Sequence, residues 1–430
     1  MEYARLPHLT ALEHETLQIT SDGSAETLSE AEAEVLLQVA GTRRGFCERR
    51  YRSVRLAQHC GVVNLGQRVL EVLPKVGPGD DAASGRGVLL RLLRASRIHE
   101  AFEILPAAQR LERYPLLEVF IAAFMDAVTE IIRGGLLRQY AEREEDLRVV
   151  RGRIVTGRQF GVHFNRPDLV AVRYDEHTAD NRWNRHVKAA LRACRPWIVS
   201  SDLHRRWIEL IATFEDVADA VPTLAELDRL VFGRQATRYR RAMDWVRWIV
   251  ALLSPAMRAG DARAPSFLFD MNRVFELAVG NVLQRRLEAE GPGFEVHSPT
   301  TGRHLGRLES GEGRAVYGLR PDLVVRKGRS VYMIADTKWK RIEVTRSGYL
   351  KPSRADVYQM HAYASAFGVN RLVLIYPAHT ATEHARQTDF ALPPWGAERP
   401  ILSVACIDVH RDDLPIVAGA EALLAQRVTA

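Results

Sequence analysis

The chain has 430 residues, with 60 Lys+Arg against 53 Asp+Glu, and a formal net charge of +7. Apolar residues make up 47% and charged residues 26%; this excludes a peptide, a disulfide-stapled miniature and a wholly disordered chain. The length predicts two or three domains, and the excess of base suits a nucleic-acid partner without demanding one.

The opening residues, MEYARLPHLTALEHE, hold no continuous apolar run, so no secretory signal is expected. Ser29 can cap a helix over Glu30 to Ala40. Short β-like pieces follow at Tyr51–Ala57, Gly61–Leu65 and Val69–Leu73, the last ended by Pro74-Lys75. Residues 77–87 (GPGDDAASGRG) read as a loop and set the first boundary, so 1–87 form a mixed α+β region.

Residues 88–260 read as mainly helical with a short β insert. Phe102 to Leu105, then Leu116, Phe120, Phe124, Val128 and Ile131, keep helical spacing, and the pattern extends to about Glu145. The most lipid-like stretch, Val119 to Ile132, is short and broken by Asp126, so no membrane partner and a cytoplasmic location are expected. Val149 to Tyr174 looks extended between Gly152, Gly157 and Gly161. A helix should start near Asp180 and run through Trp183, Val187 and Leu191 to Pro196, with more helices over 200–257. The acidic Asp175–Asp180 can form a second site, but N-terminal capping and dipole matching for that helix explain it more cheaply. The stretch 258–266 (RAGDARAPS) is the second boundary.

Residues 261–430 have an α/β rhythm. A helix is expected over Ser266–Glu290, two β runs over Ala315–Val325 and Ser330–Trp339, a helix over Ala355–Phe367, and strands over Arg371–Tyr376 and Leu402–Val409. The four cysteines, Cys47, Cys60, Cys194 and Cys406, lie far apart and read as reduced thiols, not as a zinc site.

The chemistry concentrates in Pro321-Asp322 and Ile334-Ala335-Asp336-Thr337-Lys338. On a strand Asp336 and Lys338 share a face, with Thr337 on the other. Folding the two runs about Gly328 places Asp322 opposite Ile334 or Asp336. Facing carboxylates are destabilising without compensation, and a hard divalent cation, Mg²⁺ or alternatively Mn²⁺, supplies it. Asp322 and Asp336 are the expected metal ligands, and Lys338 would hold the attacking water or a phosphate oxygen. The implied reaction is metal-dependent phosphodiester hydrolysis. An Asp-x-Lys alone fits a solvated salt-bridging edge; the Pro-Asp at hairpin spacing and the apolar run Val331–Ala335 favour a buried site.

Gln359 and Tyr363 share a helix face that can look over the sheet end, with Asp356 one turn earlier. Asn272 and Glu276 are four apart on the opening helix, and Glu276 flanks its apolar stripe, either reaching the site or salt-bridging at the surface. There is no Walker A sequence and no G-x-G-x-x-G before a helix. Basic clusters such as Arg43-Arg44, Arg49-Arg50, His204-Arg205-Arg206-Trp207 and Arg238-Tyr239-Arg240-Arg241 can hold phosphate backbone or face solvent.

Together these residues resemble the PD-(D/E)xK nuclease superfamily, and Gln359-x-x-x-Tyr363 resembles the Q-x-x-x-Y element of its RecB-like members. A wider string resembles the McrC family, cleavage subunits of McrBC modification-dependent restriction systems. It comprises Leu73-Pro74-Lys75, Arg151-Gly152-Arg153, Tyr174-Asp175-Glu176 with Asn184, Phe269-Asp270-Met271-Asn272 with Phe275-Glu276, Pro321-Asp322, Asp336-Thr337-Lys338, and Asp356-x-Tyr358-Gln359-Met360-x-Ala362-Tyr363. The resemblance covers most of the chain from about residue 70, and no motif falls in the first 70.

It implies an α/β multidomain protein: an N-terminal α+β region that docks on a partner, a central helical region, and a C-terminal restriction-endonuclease-like α/β domain. The implied partners are an McrB-like AAA+ GTPase ring and double-stranded DNA, modified for instance as 5-methylcytosine. Glu276, Gln359 and Tyr363 are then supporting site residues. The residue acting on GTP, the ring's preference for GTP or ATP, and pairing of two complexes for double-strand cleavage stay open. Two other readings are a non-catalytic DNA-holding or GTPase-activating adaptor, which should have lost Asp322, Asp336 or Lys338, and a stand-alone RecB-like repair nuclease, which should cut alone.

Overall fold

The computed structural model describes residues 8–419 apart from 22, 25, 78–80, 104–112, 164, 167, 254–265, 299–302, 310–313 and 397–398. The chain forms two units, one from residues 117–265, the other from residues 7–116 together with 266–430. The expected break at 87/88 falls inside the helix Ala82–Ser96, whose N-cap is Asp81. Its glycines do not mark a loop: a Cβ on Gly85 would sit 3.0 Å from Leu73 Cβ and Pro74 O, so the residue lets helix and strand approach. The second expected boundary lies, except for Ser266, outside the described residues, as does Leu105.

In the two-segment unit, Ser29 and Glu32 form a capping box on the helix Glu30–Thr42. One sheet runs β1 (His8–Leu12), β6 (Val69–Leu73), β5 (His59–Asn64), β10 (Ser266–Asp270). A smaller one runs β2 (Thr16–Gln18), β4 (Ser53–Leu56), β3 (Cys47–Arg50). Ser266–Asp270, expected as the first turn of a helix, is a strand antiparallel to β5, and the helix is Met271–Glu290 with Asp270 as N-cap. Phe267 and Phe269 explain the difference: both rings pack on Phe102, at 5.9 and 5.5 Å between centroids. The pairing is so close that a Cβ on Gly61 (φ +140°) would lie 2.1 Å from Phe267 O. The first seventy-odd residues and the C-terminal segment therefore share a sheet.

The larger sheet of this unit has the order β11 (Phe294–His297), β14 (Leu323–Lys327), β15 (Ser330–Thr337), β18 (Arg371–Pro377), β20 (Ile401–Ile407), β19 (Thr388–Ala391), with β21 (Ile416–Ala418) also on β20. β15, β18 and β20 are parallel, and the remaining pairs antiparallel. Two ribbons, β12 (Arg303–Arg307) with β13 (Ala315–Leu319) and β16 (Glu343–Val344) with β17 (Leu350–Lys351), complete it. The expected run Ala315–Val325 is thus broken at Arg320–Asp322. The helix Arg354–Phe367 sets Met360, Tyr363 and Ala364 into one core with Val324, Ile334, Leu372 and Leu374. The helix Met271–Glu290 covers the other face, where Gly280 meets the side chain of Leu323.

In the other unit, Gln139–Leu147 (β7), expected within a helix, is a strand; it pairs with β9 (Val170–Thr178), which pairs with β8 (Arg153–Ile154). Alternating charge along 139–147 suits an exposed ribbon better than a helix face. Within the stretch expected as extended, Thr156–Gly161 is a short helix. The helix Arg182–Cys194 begins at Asn181, whose side chain caps it, and Pro196 sits in the 3-10 turn that follows it. Further helices are Leu116–Arg133, Ser201–Ala212, Leu224–Asp228 and Arg240–Leu253. Asp175–Thr178 lies in β9, so the acidic stretch does not cap; Asp180 instead binds Arg185 at 2.6 Å. Asn184 is fully buried and satisfied: its Nδ2 donates to Leu137 O and Ala179 O, and its Oδ1 accepts from the Tyr239 hydroxyl at 2.7 Å. Arg151 lies over the Tyr174 ring at 4.0 Å. Among the described residues no helix is long and apolar enough to cross a membrane.

Candidate active site

β14 and β15 form the expected hairpin, with Gly328 in the turn. The register pairs Leu323 with Ala335 and Val324 with Ile334, and one further step sets Asp322 across from Asp336. A bulge at Val325/Arg326 is what made the register ambiguous by one residue. Parity puts Asp336 on the face of Val324 and Ile334, under the helix Arg354–Phe367.

Asp322 stands just beyond the end of β14, and its Oδ2 accepts from both the Thr337 amide and the Thr337 hydroxyl at 2.8 Å. Thr337 was expected to face away. Past a strand's end, alternation no longer fixes where Asp322 points, so its carboxylate can reach over. Asp336 is 1% exposed. Burial pushes its carboxyl up to about 6, the Asp322 charge adds to this, and Lys338 opposes it. Lys338 Nζ lies 2.5 Å from Asp336 Oδ2.

A relay fixes that amine. Lys338 Nζ donates to Gln359 Oε1 at 2.9 Å, Gln359 Nε2 to the Tyr363 hydroxyl at 2.8 Å, and that hydroxyl to Arg320 O at 2.9 Å. Arg320 directly precedes Pro321-Asp322, so the relay returns to the strand it started opposite. The structure thus joins Asp322, Asp336, Lys338, Gln359 and Tyr363. Burial, then the charge of Asp336, holds the Tyr363 phenol well above its ordinary value, so it stays a donor.

Glu276 is not joined to them. It pairs with Arg273 on its own helix, which covers the opposite face of the sheet, and no hydrogen bond or ion pair connects it to Asp322, Asp336 or Lys338. Asn272 bonds to the cap Asp270. Three side chains take roles not read from the sequence. Thr337 is the first. Asp356 pairs with Lys340 at 2.7 Å and accepts from the Tyr376 hydroxyl at 2.9 Å, bracing the helix that bears Gln359. Glu13, 3% exposed, accepts from Trp339 Nε1 at 3.0 and 3.1 Å and from the Lys75 amide at 2.9 Å. Trp339 follows the Asp-Thr-Lys run, and its ring lies 5.3 Å from that of Phe275. Nothing in the residues near Trp339 signals a carboxylate 326 positions earlier.

The donor set fits a hard cation. Asp336 Oδ2 is buried and meets Lys338 Nζ at 2.5 Å, and a carboxylate so placed keeps further lone pairs for a metal to take. Among the described residues no three His, Cys, Asp or Glu side chains form a metal cage. Water and substrate phosphate would complete the shell, as Mg²⁺ prefers.

Residues 54–377 match the family described as McrBC 5-methylcytosine restriction system component. No curated protein matches. Among solved structures, a chain of the refined half-complex from a tetradecameric assembly of Thermococcus gammatolerans McrB AAA+ hexamers with bound McrC is 19% identical. It covers 97% of this chain and 98% of its own, with a TM-score of 0.66. A chain of the cryo-EM structure of the Thermococcus gammatolerans McrBC complex is also 19% identical, covering 65% of this chain and 88% of its own, with a TM-score of 0.49.

Proposed function

The chain belongs to the McrBC 5-methylcytosine restriction system component family, and on that premise we propose that it is the cleavage subunit, an Mg²⁺-dependent endonuclease for modified double-stranded DNA. The observation that carries this is the tie between Asp322, Asp336 and Lys338 and the Gln359–Tyr363 relay. A structural salt bridge needs no such apparatus to aim one amine.

Mg²⁺ supplies a Lewis acid and a water of lowered pKa. Asp322 and Asp336 would hold it, and its charge would keep Asp336 ionised. Thr337 fixes the Asp322 carboxylate. Lys338 is aimed to hold the attacking water or to offset charge growing on the phosphate. Gln359 and Tyr363 restrict that amine's rotamers. The intact set weighs against an adaptor that has lost its chemistry. The fold shared with a chain from an McrB–McrC assembly supports an AAA+ GTPase ring as partner, and a cytoplasmic setting follows from such a partnership.

The test is methylated plasmid with the chain, its ring partner, GTP and Mg²⁺. Double-strand breaks that vanish on chelation and in Asp336→Ala are expected. Equal cutting by Asp336→Ala would refute the site, and full cutting by the chain alone would favour a stand-alone nuclease.

A further inference from the structure

A cavity of about 440 Å³ lies where the helix Ala82–Ser96, the second half of the helix Met271–Glu290 and the segment at Asp412 meet. That volume is in the range of small-ligand sites. Four arginines line it, Arg91, Arg94, Arg97 and Arg285, against two acids, Asp412 and Glu288. Asp412 is already paired, since Arg91 Nε donates to its Oδ1 at 3.0 Å, whereas Glu288 accepts from the neutral amide of Gln284 at 2.7 Å and keeps its charge. Arg94 and Arg97 form no ion pair among the described residues, and Arg285 reaches only Asn281 O, at 3.3 Å.

Three guanidinium groups thus share one concavity with a single carboxylate outside an ion pair, Glu288, so positive charge is in excess there. The end of the helix Ala82–Ser96 accounts for part of this, since cations in a last turn offset the helix dipole. It does not account for Arg285, which comes from the middle of another helix. That helix end is also partly satisfied already, because Asn281 Nδ2 donates to Ala95 O at 2.9 Å. Planar guanidinium forks gathered from two helices match the oxygens of a phosphate.

We infer that this cavity is a phosphate-binding site separate from the nuclease centre, formed by Arg94, Arg97 and Arg285. It takes a phosphate group of a nucleotide or of a DNA backbone, and the inference does not depend on the nuclease reading.

The experiment uses the full chain in chelator, so that no metal-dependent phosphate binding at the nuclease centre contributes. Binding of GTP, inorganic pyrophosphate and a short DNA duplex is titrated on the parent and on the double variant Arg94→Glu/Arg285→Glu. Arg229→Glu/Arg234→Glu, at exposed sites in the other unit, controls for net charge. Melting temperature checks folding, and a milder Arg94→Gln/Arg285→Gln variant replaces any that fails to fold. Loss of two charge-assisted contacts should weaken at least one probe by about ten- to a hundred-fold, with Arg229→Glu/Arg234→Glu near the parent. Loss of GTP and pyrophosphate binding identifies a nucleotide site; loss of duplex binding alone identifies the backbone. A parent that binds no probe, folded variants that bind every probe as the parent does, or an equal loss in Arg229→Glu/Arg234→Glu would overturn the site.

Discussion

The hairpin β14–β15 and the ribbon β7–β9 are both antiparallel pairs rich in charge, yet the charges have opposite standing. In β15 the last residues, Met333 to Thr337, are buried, and Asp336 sits among them. In the ribbon nine residues pair in unbroken register, and only Ala171 and Val172 are buried. Its ion pairs, such as Arg143–Glu176 and Arg173–Glu144, are exposed. Water screens charge in the second setting and is excluded from the first. The same residue types therefore lace a surface in one place and store reactive electrostatics in the other.

The comparison can be broken most directly at Asp336. Asp336→Ala should lower plasmid cleavage by about a thousandfold or more while sparing stimulation of the ring's GTPase; removing Mg²⁺ should do the same to the unaltered chain. A parallel loss of both activities would mean that the variant had disturbed folding or docking. Gln359→Ala removes only the aim of Lys338, and a ten- to hundred-fold loss of cleavage is expected, of the size seen when a group behind a metal or catalytic residue is removed. An unchanged rate would reduce the relay to scaffolding.

Glu13 offers a smaller effect, read as stability. Burial pushes its carboxyl from 4.5 up to about 7, against the hydrogen bonds from Lys75 and Trp339 that lower it. A raised acid keeps in the fold a proton that the unfolded chain releases. Its contribution is complete below about 4.5 and is lost as pH rises to about 7, on the order of 3 kcal/mol. Denaturant unfolding at about pH 5 and about pH 8 should show this loss in the parent and a flatter dependence in Glu13→Gln. Parallel curves would show that Glu13 titrates normally. Least of all should come from the ribbon: Arg173→Ala is expected to leave melting temperature and cleavage unchanged, and a clear drop in either would end the contrast.

What could be read from the residues follows interaction range. The hairpin acids, Lys338 and the Gln359–Tyr363 helix lie close in sequence or obey a fixed period, and they meet as expected. Ser29 also caps its helix. Strand β10 was missed because its register is set by β5, some two hundred residues earlier, while its own pattern merges into a helix. The glycines of the helix Ala82–Ser96 looked like a loop because close packing and free turning use the same residue. Glu276 was placed near the acids from its position beside an apolar stripe, which cannot say which face of the sheet the helix covers.

The join between β5 and β10 also constrains how the chain is made. Residues 117–265 are inserted into a host whose two pieces share a sheet. During synthesis β5 leaves the ribosome long before its neighbour, and its outer row of amides and carbonyls must wait unpaired while the whole insert emerges. Assembly of the host therefore comes late, and the insert's ability to fold promptly by itself sets how long that sticky border stays open.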